Sequence, residues 1–316
     1  MLTIPEAAAL LRSYDNVLIL THVRPDGDTV GCAAGLCAAL RALGKTAYLS
    51  PNPEITSLTA PYFQPYAAPD GFAPDRVVSV DIATPALIPD NAQRYADRID
   101  LALDHHPSFE HFGKHNLVRP TSAACGELLY DIIACLGPVT PEIALPLYVA
   151  VATDTGCFAY NNTTARTHAV AAALMNTGID FLTVNKRFFR TKTRKRLALE
   201  AAMLSAIEYH DEGRIAVLAV PLDLIERIGA DDSDTDDLAA LGGSIEGVDC
   251  AVTMRERKPG VWRISLRTNP QAVNATRACS LLGGGGHAAA GGCTVETTFE
   301  DAKLRILAAI AQTASE

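Results

Sequence analysis

Eight histidines are spread over 316 residues, and three of them stand among aspartates in a pattern that runs down the first half of the chain. Thr21-His22-Val23-Arg24-Pro25-Asp26-Gly27-Asp28 comes first, then Asp81, then Asp104-His105-His106, then Thr153-Asp154-Thr155-Gly156. Imidazole nitrogens and carboxylate oxygens are the donors that Mn²⁺ and Mg²⁺ take. Two such ions about 3.5–4 Å apart activate water and clamp both oxygens of an in-line displacement at phosphorus. If the four clusters converge, the chemistry open to them is two-metal processing of a phosphate ester.

Each cluster also has an ordinary reading. Asp26-Gly27-Asp28 has the composition of a polar turn, although His22 and Pro25 place three ligand-type side chains on that one turn. Asp81 at the end of an apolar run could cap the next helix, and Asp154 could simply end one. Adjacent His105 and His106 beside Asp104 fit a ligand with an orienting partner. All four ordinary readings holding together, each at the end of an element, is the less economical account.

The elements that must position them follow from apolar runs. Residues 17–20, 77–80 and 99–103 are short and rich in Val, Ile and Leu, the pattern of buried strands, and each directly precedes a cluster. Helical patterns cover 29–43, with Gly44 as a stop signal, 122–136 with Ser122 as its cap, 141–152 with Pro141 in the first turn, and 165–176. Residues 46–49 read as a strand and 62–74 as a loop. Strands alternating with helices imply a doubly wound α/β domain with a parallel sheet. In such sheets ligands bind beyond the carboxyl ends of the strands, so residues over a hundred positions apart can meet there.

A basic run at 186–196 leads into a helical pattern at 197–209 and reads as a connector, either a solvated face or a basic wall toward phosphate. The second half starts with a strand at 214–220. An acidic run at 230–237 lacks the glycine and closing glutamate of an EF-hand loop, so it reads as a solvated loop or helix start. A hairpin over 248–255 and 261–267, a glycine loop at 283–286, a strand near 293–295 and a helix from Phe299 complete the chain. Consecutive glycines can present backbone N–H groups to an anion, with Arg267 and His287 as charged donors nearby; a structural turn is the competing reading.

Composition sets the outer limits. At 48% hydrophobic and 20% charged, the chain is globular and long enough for two domains. A net charge of −9 argues against tight binding of long double-stranded nucleic acid, which wants an extended basic face. The longest apolar stretches, about ten residues, are too short to span a bilayer. The start of the chain lacks the pattern of a signal peptide, and eight scattered cysteines without a Cys-x-x-Cys pair read as reduced core residues. The expected location is cytoplasmic, away from membranes.

The ordered set, with its Asp104-His105-His106 triplet, resembles the DHH phosphoesterase superfamily. Gly284-Gly285-Gly286-His287-Ala288-Ala289-Ala290-Gly291-Gly292 and Ser265-Leu266-Arg267-Thr268 look like the glycine-histidine loop and arginine segment of its companion DHHA1 domain. Ser244-Ile245-Glu246-Gly247-Val248 is similar to a stretch of the nanoRNase subgroup, which degrades very short RNAs and dephosphorylates 3′-phosphoadenosine 5′-phosphate (pAp). The resemblance implies a DHH domain over 1–185, a helical linker over 186–212 and a smaller α/β DHHA1 domain over 213–316, with the active site in the cleft between domains. It implies that His22, Asp26 and Asp81 hold one divalent ion and Asp28, Asp81, His105 and Asp154 the second. Asp81 would bridge, a shared hydroxide would attack, His106 would face the phosphate, and Asp104 would orient the histidines. Arg267, Gly284, Gly285, Gly286 and His287 would bind substrate. The implied cofactors are two Mn²⁺ ions, with Mg²⁺ or Co²⁺ as alternatives. The implied substrates are di- to pentanucleotides such as pApA or pGpG, together with pAp, and a homodimer is a compatible assembly. A cyclic-dinucleotide phosphodiesterase, a family II inorganic pyrophosphatase and a non-catalytic nucleotide-binding regulator remain as alternatives on the same scaffold.

Overall fold

A computed structural model describes residues 2–235 and 238–314, in two compact units, Met1–Thr191 and Lys192–Glu316. The first unit holds five parallel strands, β1 (Val17–Leu20), β2 (Ala47–Leu49), β3 (Arg76–Val80), β4 (Leu101–Asp104) and β5 (His115–Val118), in the order β2-β1-β3-β4-β5. Its helices are α1 (Ile4–Ser13), α2 (Gly27–Ala42), α3 (Ala60–Phe63), α4 (Cys125–Leu136), α5 (Pro141–Asp154), α6 (Ala165–Met175) and α7 (Phe181–Asn185).

Strand residues alternate between two cores. Val17, Ile19, Val78, Val80, Leu101 and Leu103 pack beneath the α-helices, while Leu18, Leu20, Val77 and Ala102 face the other side. A parallel sheet buried on both faces needs this continuous apolar sequence. The second face is covered by 3₁₀ turns at Asp90–Arg98 in place of α-helices. The buried residues of that segment, Ala92 and Tyr95, stand three positions apart, matching the three-residue turn of a 3₁₀ helix, and Ala96 packs beside them.

Helix α2 is buried along almost its whole length, and glycine explains how. A Cβ on Gly31 would lie 2.3 Å from the carbonyl of Pro146, and one on Gly27 would lie 2.4 Å from Thr153 Oγ1. Only glycine lets α5 approach α2 this closely. The contact sets the start of α2, with Asp28, beside the end of α5, with Asp154.

The second unit holds α8 (Arg194–Ser205), α9 (Leu222–Ile228), α10 (Ala275–Ser280) and α11 (Phe299–Ala314) around strands β6 (Glu208–His210), β7 (Ile215–Val220), β8 (Cys250–Lys258), β9 (Val261–Thr268), β10 (Gly285–His287) and β11 (Ala290–Glu296). The sheet order is β10-β11-β9-β8-β7-β6, with β7 and β8 parallel and the other pairs antiparallel. Alternate residues of β7 again serve two cores, Ile215 and Val217 with α11, and Ala216, Leu218 and Val220 with α8.

The segment 186–212 is divided between the units. Phe188 and Phe189 pack on the core of the first, whereas α8 inserts Leu199 and Met203 into the second. In the acidic run, Asp231 accepts from the Ser233 amide, and buried Asp234 accepts from the Thr193 hydroxyl. Its positions 236 and 237 lie outside the described residues.

Candidate metal centre

Strand order reverses between β1 and β3, the switch point at which open α/β sheets bind ligands. The chain leaving β1 carries His22, the chain leaving β3 carries Asp81, and β4 ends in Asp104-His105-His106. At Asp81 the backbone takes φ of +58°, a left-handed conformation that costs roughly 1–2 kcal/mol for a non-glycine residue. Its amide donates to the Leu103 carbonyl at 2.9 Å, and its side chain is 3% exposed. Such strain fixes the direction in which a side chain leaves the strand.

Asp81 presents its two oxygens to different neighbours. Oδ2 lies 3.7 Å from His22 Nε2, and Oδ1 lies 3.5 Å from His105 Nε2 and 3.6 Å from His106 Nδ1. His22 Nε2 is also 3.7 Å from Asp26 Oδ1. His105 Nε2 is 3.7 Å from Asp28 Oδ2 and 3.6 Å from Asp154 Oδ2. The six metal-type residues expected from the sequence therefore meet. His22, Asp26 and Asp81 form one group, and Asp28, His105 and Asp154 a second, with donor atoms in each group within 4.8 Å of one another.

The remaining atoms of these side chains are held by the fold. His22 Nδ1 donates to the Val23 carbonyl at 2.7 Å, and His105 Nδ1 to that of Ser122 at 3.1 Å. In the tautomers these bonds require, both Nε2 lone pairs are left for a cation. Asp104, fully buried, accepts from the amides of His105 and His106 and binds His106 Nδ1 at 2.8 Å. It therefore fixes the ring of His106 and the backbone of His105, whose own ring is held by Ser122, and leaves the other ring nitrogen of the partly exposed His106 without this tie.

Helix α4 differs from the sequence expectation. It begins at Cys125, and Ser122 does not cap it. Instead the Cys125 amide donates to Asp28 Oδ2 at 2.7 Å and the Gly126 amide to Oδ1 at 3.0 Å. A carboxylate from α2 satisfies the orphan amides and sits at the positive end of the helix dipole. Asp26 caps α2 itself, accepting from the amides of Asp28 and Thr29.

Two asparagines were not visible as site residues. Asn52 donates to the His22 carbonyl at 2.9 Å and to Thr21 Oγ1 at 3.0 Å. Asn162 donates to the carbonyls of Asp154 at 3.0 Å and Ala123 at 2.9 Å. Each braces the backbone of one donor group. Asn162 follows the Asp154 motif closely, whereas Asn52 stands between two prolines far from any motif and carries no local cue.

Charge crowds this pocket. Burial, then the charge of Asp26, pushes Asp28 up to about 7. Burial and the charge of Asp28 do the same to Asp154, also to about 7, and raise Asp81. Burial opposes protonation of His106, but the bond to Asp104 outweighs it and raises its pKa. Asp81 Oδ1 is buried and has no hydrogen-bond donor among the described residues. Clustered carboxylates, one with an orphaned oxygen, and imidazoles with free lone pairs fit divalent cations, whose charge reverses this titration logic.

In the second unit, strand register places Arg267 opposite Ala290, and Ala290 opposite His287. Lateral neighbours share a face of the sheet, so Arg267 and His287 lie on the same face, two strands apart. The glycine loop is a tight β10–β11 hairpin. A Cβ on Gly284 would meet the Gly292 carbonyl at 2.2 Å, and one on Gly286 the Ala290 carbonyl at 2.3 Å. The Gly284 amide is already spent on the Cys279 carbonyl at 2.9 Å. That corrects the expectation that it is free for an anion.

A flavodoxin-like strand order with nitrogen and oxygen donors gathered at its switch point defines a metal-site α/β protein. Residues 16–153 match the model of the DHH family, N-terminal domain. The chain is 33% identical over 309 residues to a bifunctional oligoribonuclease and PAP phosphatase of Thermus thermophilus, covering 96% of this chain and 92% of that protein. It is 25% identical over 289 residues to the like-named protein of Bacillus subtilis, covering 89% and 90% of the two chains. Among solved structures, an exopolyphosphatase-related protein from Bacteroides fragilis superposes with a TM-score of 0.89 at 22% identity, covering 99% of this chain and 96% of its own. The exonuclease RecJ bound to manganese gives 0.51 at 16% identity, covering 98% and 94%. The chain belongs to the DHH family. Among the described residues no helix is long and apolar enough to cross a membrane.

Proposed function

We propose that this protein is a metal-dependent phosphoesterase that hydrolyses di- to pentanucleotides, such as pApA and pGpG, to mononucleotides, and pAp to AMP. The observation that carries the reading is Asp81, whose two oxygens face two separate donor groups at a sheet switch point. The names of the Thermus and Bacillus relatives, aligned over nearly the whole chain, supply the substrate class. In this reading His22, Asp26 and Asp81 hold one ion, and Asp28, Asp81, His105 and Asp154 the other. Mn²⁺ is preferred, since imidazole is part of both sets, and RecJ binds it on a related fold. When bound, such a pair supplies Lewis acidity and a water-derived nucleophile near neutral pH.

The side chains do the rest. His106, oriented by Asp104, donates a proton or hydrogen bond to a phosphoryl oxygen as charge builds there. Arg267 binds a distal phosphate, His287 adds a second donor, and at Gly285, where a Cβ would meet nothing within 4 Å, the hairpin leaves its backbone open to close approach. The protein acts in the cytoplasm. A Mn²⁺-supplemented assay of pApA, pGpG, a 24-mer RNA, pAp, cyclic dinucleotides and pyrophosphate in parallel tests the reading. Linear dinucleotides and pAp should be consumed and the 24-mer spared. Turnover of pyrophosphate alone would refute it.

A further inference from the structure

On the sheet face away from the α-helices, a cavity of about 530 Å³ opens between the 3₁₀ segment Asp90–Arg98 and the loop over 68–74. Arg94 and Arg98 line it, both over the ring of Tyr95, with guanidinium carbons 4.9 and 5.9 Å from its centroid. Neither guanidinium has a hydrogen-bond or carboxylate partner among the described residues. Six other arginines of this unit are occupied. Arg76 pairs with Asp100, Arg119 and Arg166 pair with Asp131, and Arg12, Arg41 and Arg187 donate to backbone carbonyls. From the loop, Asp70 and Phe72 face the same space.

We infer that this cavity binds a nucleoside monophosphate at a site separate from the metal centre. Two unpaired guanidiniums match a phosphate, which arginine binds through paired, charge-assisted hydrogen bonds. Asp70 is an acceptor for ribose hydroxyls, and Phe72 with the flanking prolines offers an apolar surface to a base. The volume lies within the usual range for a small-molecule site, about 300–1,000 Å³. A short path of contacts leads from the cavity toward the metal centre. Asn91, on the segment that carries both arginines, donates to the Pro51 carbonyl at 2.7 Å. Pro51 lines the cavity, and the next residue, Asn52, holds the His22 carbonyl. The ligand class coincides with the products of the proposed reaction, but the site stands on its own groups.

The test is calorimetric titration of AMP, adenosine and inorganic phosphate into full-length, metal-stripped protein, where turnover plays no part. AMP should bind, adenosine at least tenfold more weakly, and Arg94→Ala/Arg98→Ala should weaken AMP about a hundredfold, a factor of ten for each guanidinium removed. Arg267→Ala should leave this binding unchanged. Asp70→Asn, on an exposed loop with no fold to disturb, should weaken AMP but leave phosphate as it was. Equal affinity for adenosine and AMP would overturn the site, as would AMP binding that survives the double substitution or is lost with Arg267→Ala. Inactivity toward dinucleotides would refute the proposed reaction and leave this result intact.

Discussion

The two halves of the metal centre are built differently. His22 and Asp26 come from a single turn, and Asp26 is 59% exposed. Asp28, His105 and Asp154 come from three elements separated by up to 126 positions, and Asp28 is 2% exposed. The first half is local, and its Asp26 is open to water while His22 is largely buried. The second is long-range, with Asp28 buried, His105 largely buried and Asp154 part-exposed, and its Asp28 is tied to two amides of α4. A site assembled by the fold is more preorganised than one built on a local turn, so the second group should bind a cation more tightly than the first. Asp81 belongs to both, so the contrast can be tested through it.

The largest effect should come from Asp81→Ala. Turnover should fall to about a thousandth or less, about 4 kcal/mol of barrier, and bound manganese measured by elemental analysis should drop, while circular dichroism stays native. Full activity in that variant would remove its shared role. Next, Asp28→Asn should weaken Mn²⁺ binding by about 100-fold and Asp26→Asn by only about 10-fold, the range seen for perturbed metal sites. Isothermal titration showing the reverse order would invert the comparison. Arg267→Ala lies outside both halves. It should raise KM for pApA about tenfold, close to the loss of one charge-assisted contact, with Mn²⁺ affinity unchanged.

The smallest effect is on stability. In metal-free protein Asp28 and Asp154 titrate near 7 in the fold, against an ordinary 3.8. Between those values the folded state holds more protons than the unfolded one, so stability is highest below the lower value and is lost as pH rises through 7. Thermal melts in EDTA should fall by several degrees from pH 5 to pH 8. Mn²⁺ should reverse the trend, and Asp28→Asn should flatten it more than Asp26→Asn does.

Legibility in the sequence followed the same divide. Strands β1, β3 and β4 are apolar on both faces, so their runs stood out, and the donors directly after them could be read off. Edge strand β5 buries only Leu117, and α1 is a short helix announced by little more than its Thr3 and Glu6 capping box. Strand β5 has no apolar run, and in α1 the run 7–11 is mostly alanine, which marks no buried face by itself. The cap of α4 was illegible because its partner, Asp28, lies 97 positions away. The helix–helix approach at Gly31 was hidden as well, since a glycine in a helix signals closeness only once its neighbour is known. The hairpin of the glycine loop depends on β9 and β11 pairing around it, which local composition does not encode.

One consequence reaches beyond chemistry. Because the first amides of α4 rest on Asp28, that helix borrows its anchor from a group that a cation also claims. Stripping the ions and protonating Asp28 should therefore loosen the stretch around 122–127 as well as empty the pocket. Amide exchange there would serve as a built-in gauge of occupancy, readable without any substrate.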